Sequence, residues 1–356
     1  MNNMDIPKFL TDLMEARSPS GYEFESQKVI DRYMGDKADV YKKDVMGSRH
    51  AYLNEGKTPL VMLSGHMDEL GFLIKYIDDK GFAYFDTIGG HDLSMISGRR
   101  VTILTKNGPI PGVTGKRAIH LLDSDERNKI PKQYDLWIDL GCKTDKEAQS
   151  LVEIGDPVVY DTPNTSIIND KVITGRAFDD KVGTYVVMEV IHRLAAEKSS
   201  LECGIVSVAS VQEEVGTRGA ITSSFSIQPT VGIAIDVGHA TDFPSCDQKR
   251  FGKVDLGAGP IIARGCNINP VVFEKLIGCA KAAEIPYQIE SEPYPTGTDA
   301  RSIQISRGGV ATGLVSIPLR YMHTPTETAH LDDIENTIKL LCAFTKSLTP
   351  GDIFEF

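Results

Sequence analysis

Several apolar, β-branched runs in this sequence end in a histidine or a carboxylate. Residues 60–63 run into Ser64-Gly65-His66-Met67-Asp68, and 204–211 run into Gln212-Glu213-Glu214. Residues 231–235 end at Asp236, and 310–317 lead through Arg320 to His323. Asp179-Asp180 opens a stretch with helical spacing. Any one such residue is ordinarily a solvated end or a helix cap. Together they make a ligand set of two histidines and several carboxylates without thiolate, which suits Zn²⁺, Co²⁺ or Mn²⁺. Glu213 and Glu214 cannot both address one metal from an extended backbone, so they divide naturally into one ligand and one general base. Asp68 stands two residues after His66, where it can accept the proton of the ring nitrogen that faces away from a metal.

The elements that must position these residues are legible in part. Near-continuous apolar runs are typical of strands buried on both faces. Helical spacing occupies 180–197 (Val182, Tyr185, Val186, Val190, Leu194), 270–284 and 331–347. It also occupies 4–18 and 24–35, separated by Ser18-Pro19-Ser20-Gly21. Strands alternating with helices predict an α/β fold, a three-layer sandwich with a mostly parallel central sheet. Open α/β sheets bind ligands outside the carboxyl ends of their strands, so the His and acid clusters are expected to converge on one crevice. The stretch 70–165 differs. Short β-like pieces at 71–77, 82–87, 100–104, 137–139 and 157–160 are broken by Gly and Pro. This predicts a small all-β, barrel-like domain inserted into a catalytic domain made of 1–69 and 166–356.

Composition narrows the function. The chain has 356 residues and a net charge of −11, against the basic excess that nucleic-acid binders usually carry. No apolar run approaches the ~20 residues of a membrane span. The opening residues MNNMDIPKFL lack the basic and apolar regions of a secretory signal, so a cytoplasmic location is expected. The cysteines at 142, 203, 246, 266, 279 and 342 form no CxxC pair and are expected as reduced thiols in the core. Asp180 is read as a cap for the helix after it, and Asp299 likewise as a cap. His91 and His239 are read as structural or solvated.

The runs SGHMDELGF (64–72), GRAFDDKVG (175–183), QEEVGTRGA (212–220), IDVGHATDFP (235–244), GTDARSIQ (297–304) and RYMHTPTE (320–327) give the chain a resemblance to a known family. In order and spacing it resembles the tetrahedral (TET) metallo-aminopeptidases, also labelled glutamyl aminopeptidase or endoglucanase. The resemblance covers nearly the whole chain. It implies a pair of divalent metal ions, zinc foremost, with cobalt or manganese as alternatives. His66 and Asp236 would hold one ion, Glu214 and His323 the other, and Asp179 would bridge them. Glu213 would be the general base and acid, with Asp68 supporting His66. A cis peptide between Asp179 and Asp180 is also implied. So is assembly of homodimers, through the inserted domain, into a tetrahedral dodecamer that acts on short peptides. His120, in that domain, is either a surface residue or a substrate contact across a subunit boundary.

Other functions fit less well. A related dimetal amidohydrolase, such as an N-acyl-amino-acid deacylase or carboxypeptidase, would need a cation for the substrate carboxylate, and Arg264, Arg301 and Arg320 are the candidates. A glycoside hydrolase needs two carboxylates about a sugar bond, which leaves His66, His323 and Asp179 without a role. A purely binding role predicts lost ligands, yet every expected position is filled. The side-chain preference for the cleaved residue is not legible in the sequence.

Overall fold

Helices α1 (Lys8–Glu15) and α2 (Phe24–Met34) come first, followed by strands β1 (Val40–Lys43), β2 (Arg49–Leu53) and β3 (Leu60–His66). The computed structural model describes residues 6–166 and 171–356. Six strands then form a closed barrel: β4 (Gly71–Ile77), β5 (Ala83–Ile88), β6 (Arg100–Thr105), β7 (Gly108–Gly115), β8 (Trp137–Asp139) and β9 (Pro157–Tyr160). Short helix α3 (Asp145–Leu151) lies between β8 and β9. After β10 (Thr165–Ser166) and β11 (Val172–Gly175) come α4 (Phe178–Ala195), β12 (Gly204–Ser210), α5 (Arg218–Ile227) and β13 (Val231–His239). The chain ends with α6 (Gln248–Phe251), β14 (Ile261–Gly265), α7 (Pro270–Ala282), β15 (Gln288–Glu292), α8 (Asp299–Gln304), β16 (Ala311–Leu319), β17 (Glu327–His330) and α9 (Leu331–Lys346).

One sheet of eight strands carries the site, in the order β1-β2-β12-β3-β13-β16-β14-β15. Every residue of β12 is buried, as the apolar run requires of a strand covered on both faces. Helix α4 packs across β3, β12 and β13 and against α9. The contact is intimate at Gly65, where a Cβ would stand 2.5 Å from the carbonyl carbon of Gly183. Only glycine permits that approach. Helix α7 starts where the sequence equips it to start. Asn269 accepts hydrogen bonds from Val271 N and Val272 N, and Pro270 opens the first turn. The barrel has a separate core around Phe72, Ile74, Phe85, Ile103, Ile138 and Val158.

The sheet expected to be mostly parallel is mixed. Parallel pairing joins β12, β3, β13 and β16, but β1 and β2 add antiparallel and β14 runs against β16. The antiparallel strands are the ones without a long apolar run. The segment 40–53 carries Lys42, Lys43, Asp44 and Arg49, and its hairpin is closed by Asp44, whose Oδ1 accepts from Gly47 N and Ser48 N. Two further expectations change. Thr298 caps α8, accepting from Ala300 N, while the Asp299 carboxylate turns inward to accept from Ser64 Oγ (3.0 Å) and Ser210 Oγ (2.7 Å). All six cysteines are free, but only Cys203 and Cys279 are buried, and Cys266 is exposed.

Candidate metal centre

Parallel register sets the strand ends level. Ser210 on β12 pairs with His66 on β3. Ser64 on β3 pairs with Ala234 on β13, which brings Asp236, two residues on, to the level of His66. Asp179 reaches the same place from the non-helical turn at the head of α4, across the cis peptide Asp179–Asp180. His323 arrives from the loop after β16 with a positive φ of 59°.

Asp179 is the hub. Its Oδ1 lies 3.2 Å from His66 Nε2, and its Oδ2 lies 3.2 Å from His323 Nε2. Glu214 Oε2 stands 3.6 Å from His323 Nε2, and Glu213 Oε2 stands 3.9 Å from His66 Nε2. The neighbouring glutamates thus diverge toward different histidines. Two groups of ligating atoms result, His66/Asp179/Asp236 and Asp179/Glu214/His323, each with its atoms within 4.8 Å of one another.

A layer of acceptors fixes these side chains. Asp68 is fully buried. Its Oδ1 accepts from Glu213 N (3.0 Å), while its Oδ2 accepts from Glu214 N (3.2 Å) and Ser20 Oγ (2.6 Å). The nearest acceptor to His66 Nδ1 is the backbone carbonyl of Asp68 at 3.1 Å, with the Asp68 carboxylate at 3.4 Å. Asp180 accepts from Gly183 N, as a cap does, and from His66 N. Glu327 accepts from Asp179 N (3.1 Å) and His323 N (3.0 Å). Sequence reasoning missed Glu327, although it closes the run RYMHTPTE. It also missed Ser20, which lies in the segment read only as a break between helices and donates to Asp68, and Glu23, which accepts from Gln212 N.

Electrostatics follow from many acids in a dry place. Burial, together with Asp236, Asp299 and Glu214, pushes Glu213 up to about 10 against the pull of His66. Burial and Asp179 push Glu214 up to about 8. Burial lifts Asp236 to about 7. Burial disfavours charge on His323, yet Asp179 and Glu214 raise it to about 10. Such a surplus of buried carboxylates is what a divalent cation neutralises. Glu214 Oε1 is buried with no hydrogen-bond partner among the described residues, so the donor set has a vacant lone pair as well as the right chemistry. The residues fit a pair of metal ions.

The cluster opens into a cavity of about 510 Å³ lined by Asp179, Glu213, Glu214, Asp236 and His323, with Glu290, Glu292 and Arg301 farther along. Of the arginines considered for a substrate carboxylate, Arg320 is tied to Asp242 and Arg264 stacks over Phe273. His91 is structural, stacked on Phe72 and bonded to the carbonyls of Gly71 and Ile88. His120 is exposed in the short turn Ile119–Leu121 and does not line the cavity.

Comparison with known proteins agrees with this geometry. Residues 47–340 match the model of the M42 glutamyl aminopeptidase family. A lysyl aminopeptidase of Pyrococcus furiosus is 36% identical over 97% of this chain and 98% of its own length. A TET aminopeptidase from a marine sediment archaeon of the Thaumarchaeota superposes with a TM-score of 0.92 at 34% identity, covering 96% of each chain. The TET1 peptidase of Pyrococcus horikoshii, which can assemble into a tetrahedron or a large octahedral shell, gives 0.85 at 32% identity over 96% of this chain and 99% of that one. The chain is a member of the M42 glutamyl aminopeptidase family, a hydrolase that removes residues from the N-termini of peptides.

Proposed function

We propose that the enzyme is a two-metal exopeptidase in which His66 and Asp236 would hold one ion, Glu214 and His323 would hold the other, and Asp179 would serve both. The observation that carries this is the placement of Asp179, whose two oxygens face the two histidines at 3.2 Å each. Zinc is the expected metal for this donor set, with cobalt or manganese as substitutes. When bound, the ions would lower the pKa of a water and polarise the scissile carbonyl. Glu213 is assigned as general base. Its carboxylate takes the proton of the attacking water and hands it to the departing amine, so the side chain ends the cycle as it began. Asp68 acts through backbone, pinning Glu213 N and Glu214 N so that the two carboxylates cannot exchange places.

The wider assignments belong to the same proposal. Residues 1–69 and 166–356 form the catalytic domain, with α4 and α9 on one face of the sheet and α5 and α8 on the other as a three-layer sandwich. Residues 70–165 are a dimerisation domain. Exposed Ile119, Leu121, Ile130 and Tyr134 there support an interface. Homodimers then build a tetrahedral dodecamer, in which His120 would contact substrate bound in a neighbouring subunit. The enzyme works in the cytoplasm on short peptides. Hydrolysis of a panel of aminoacyl-p-nitroanilides by zinc-loaded protein tests the activity. Turnover of N-acylated amino acids with none of the free-amine anilides would point to the deacylase instead.

A further inference from the structure

The cavity extends from the metal ligands to the edge strand β15, whose alternate residues Glu290 and Glu292 face into it. Their partners across β14 are Ala263 and Gly265, too small to cover them. Neither carboxylate makes a hydrogen bond or ion pair to any described residue. Glu290 is half-buried, and burial with Glu292 beside it pushes Glu290 up to about 7. The other end of the cavity is formed by Asp179, Glu214, Asp236 and His323, the residues assigned to the metal ions.

The two ends are a side chain apart. A Cβ on Gly238 would stand 3.8 Å from Glu290 Oε2, and Gly238 lies two residues past Asp236 on β13. Two strand residues span about 6.5–7 Å. An extended lysine or arginine side chain covers that span from a peptide seated at the metal ligands; aspartate or serine does not. Arg264 stacks over Phe273 and supplies no counter-charge. Arg301 lines the cavity but is exposed, on α8.

We propose that Glu290 and Glu292 receive the side chain of the substrate's first residue, and that the enzyme prefers peptides beginning with lysine or arginine. This rests on the aminopeptidase reading above. A charge-assisted hydrogen bond to a partly desolvated carboxylate gives the preference, and a neutral side chain would leave both acids unpaired.

The test compares Lys-, Arg-, Leu- and Glu-p-nitroanilide with wild type, Glu290→Gln, Glu292→Gln and the double variant. The expected wild-type kcat/KM for Lys and Arg exceeds that for Leu and Glu by about tenfold or more. The double variant should lose about tenfold to a hundredfold of the Lys-to-Leu ratio, chiefly through KM. A wild-type preference for Glu or Leu would overturn the proposal and leave the aminopeptidase intact, as would an unchanged ratio in the double variant. Failure to cleave any anilide would instead strike the aminopeptidase reading. Calorimetry with L-lysine and L-norleucine reads the subsite without turnover. Tighter binding of lysine by wild type, abolished in the double variant, supports the proposal, and equal binding overturns it.

Discussion

Glu213 and Glu214 are adjacent in sequence, yet their carboxylates lie near different histidines. The separation is imposed from behind: Asp68 takes one backbone N–H from each on separate oxygens. Glu213 is therefore free of structural duty, and its loss should be felt in the chemistry alone. The Glu213→Gln enzyme is expected to lose about 10³-fold or more in kcat with little change in KM, measured on the best anilide at matched metal content. Ser20 has the opposite character. It touches no reacting atom and steadies Asp68 through its 2.6 Å hydrogen bond. Ser20→Ala should lower kcat by about threefold to thirtyfold and leave metal stoichiometry unchanged, whereas Ser20→Thr should retain most activity. Equal loss in both variants would mean that packing rather than the hydroxyl matters.

At the scale of elements, the site is only as firm as the seam between β3 and α4. Gly65→Ala puts a methyl against the Gly183 backbone, where neither strand nor helix can yield. A loss of about 1–3 kcal/mol in unfolding free energy is expected. A second seam ties the N-terminal helix to the site. Glu69 is buried between Arg176 and Lys181, and both cations also donate to carbonyls at the end of α1. Burial opposes charge on Glu69, but Arg176 and Lys181 outweigh it and hold the carboxyl at about 2. The folded value lies below the ordinary ~4.3 of glutamate. The stabilisation is therefore complete above about pH 4.3 and is lost as pH falls toward 2. Glu69→Gln should cost roughly 3–5 kcal/mol near neutrality by stranding two buried cations. The gap in Tm between the two proteins should narrow steadily in melts from pH 5 down to pH 3.

For the whole molecule, the charge surplus of the centre makes metal a structural partner as well as a chemical one. Ions bound only by the folded state raise stability by about 4 kcal/mol at a thousandfold excess over Kd. Exhaustive chelation should therefore lower Tm and abolish anilide hydrolysis together, and Zn²⁺ should restore both. Chelation that stops hydrolysis without moving Tm would show that the acids tolerate one another without cations. The barrel contributes no ligand to the centre, and its exposed Ile119, Leu121, Ile130 and Tyr134 leave apolar surface uncovered. Light scattering at micromolar concentration should give an assembly rather than a 39.0 kDa monomer. Aspartate substitutions at Ile119 and Leu121 should shift it toward smaller species.

The sequence by itself determined β3, β12 and β13, which carry or lead to His66, Glu213 and Asp236, because a strand buried on both faces reads as a continuous apolar run. It also marked α4, α7 and α9 by their spacing, and the separate character of 70–165 by its broken β pieces. Tertiary structure alone decided the rest. The β1–β2 hairpin and the pair β14 and β15 mix polar with apolar residues over only four or five positions each, and carry no run to recognise. Glu327, Ser20 and Asp299 are ordinary polar residues until folding brings them to Asp179, Asp68 and Ser64. Each partner lies far off along the chain, and burial makes the hydrogen bond obligatory only once the sheet has closed over it. Which wall of the cavity faces the substrate was decided in the same way. It depends on β15 lying beside β14 in parallel, a register that no local pattern in 288–292 discloses.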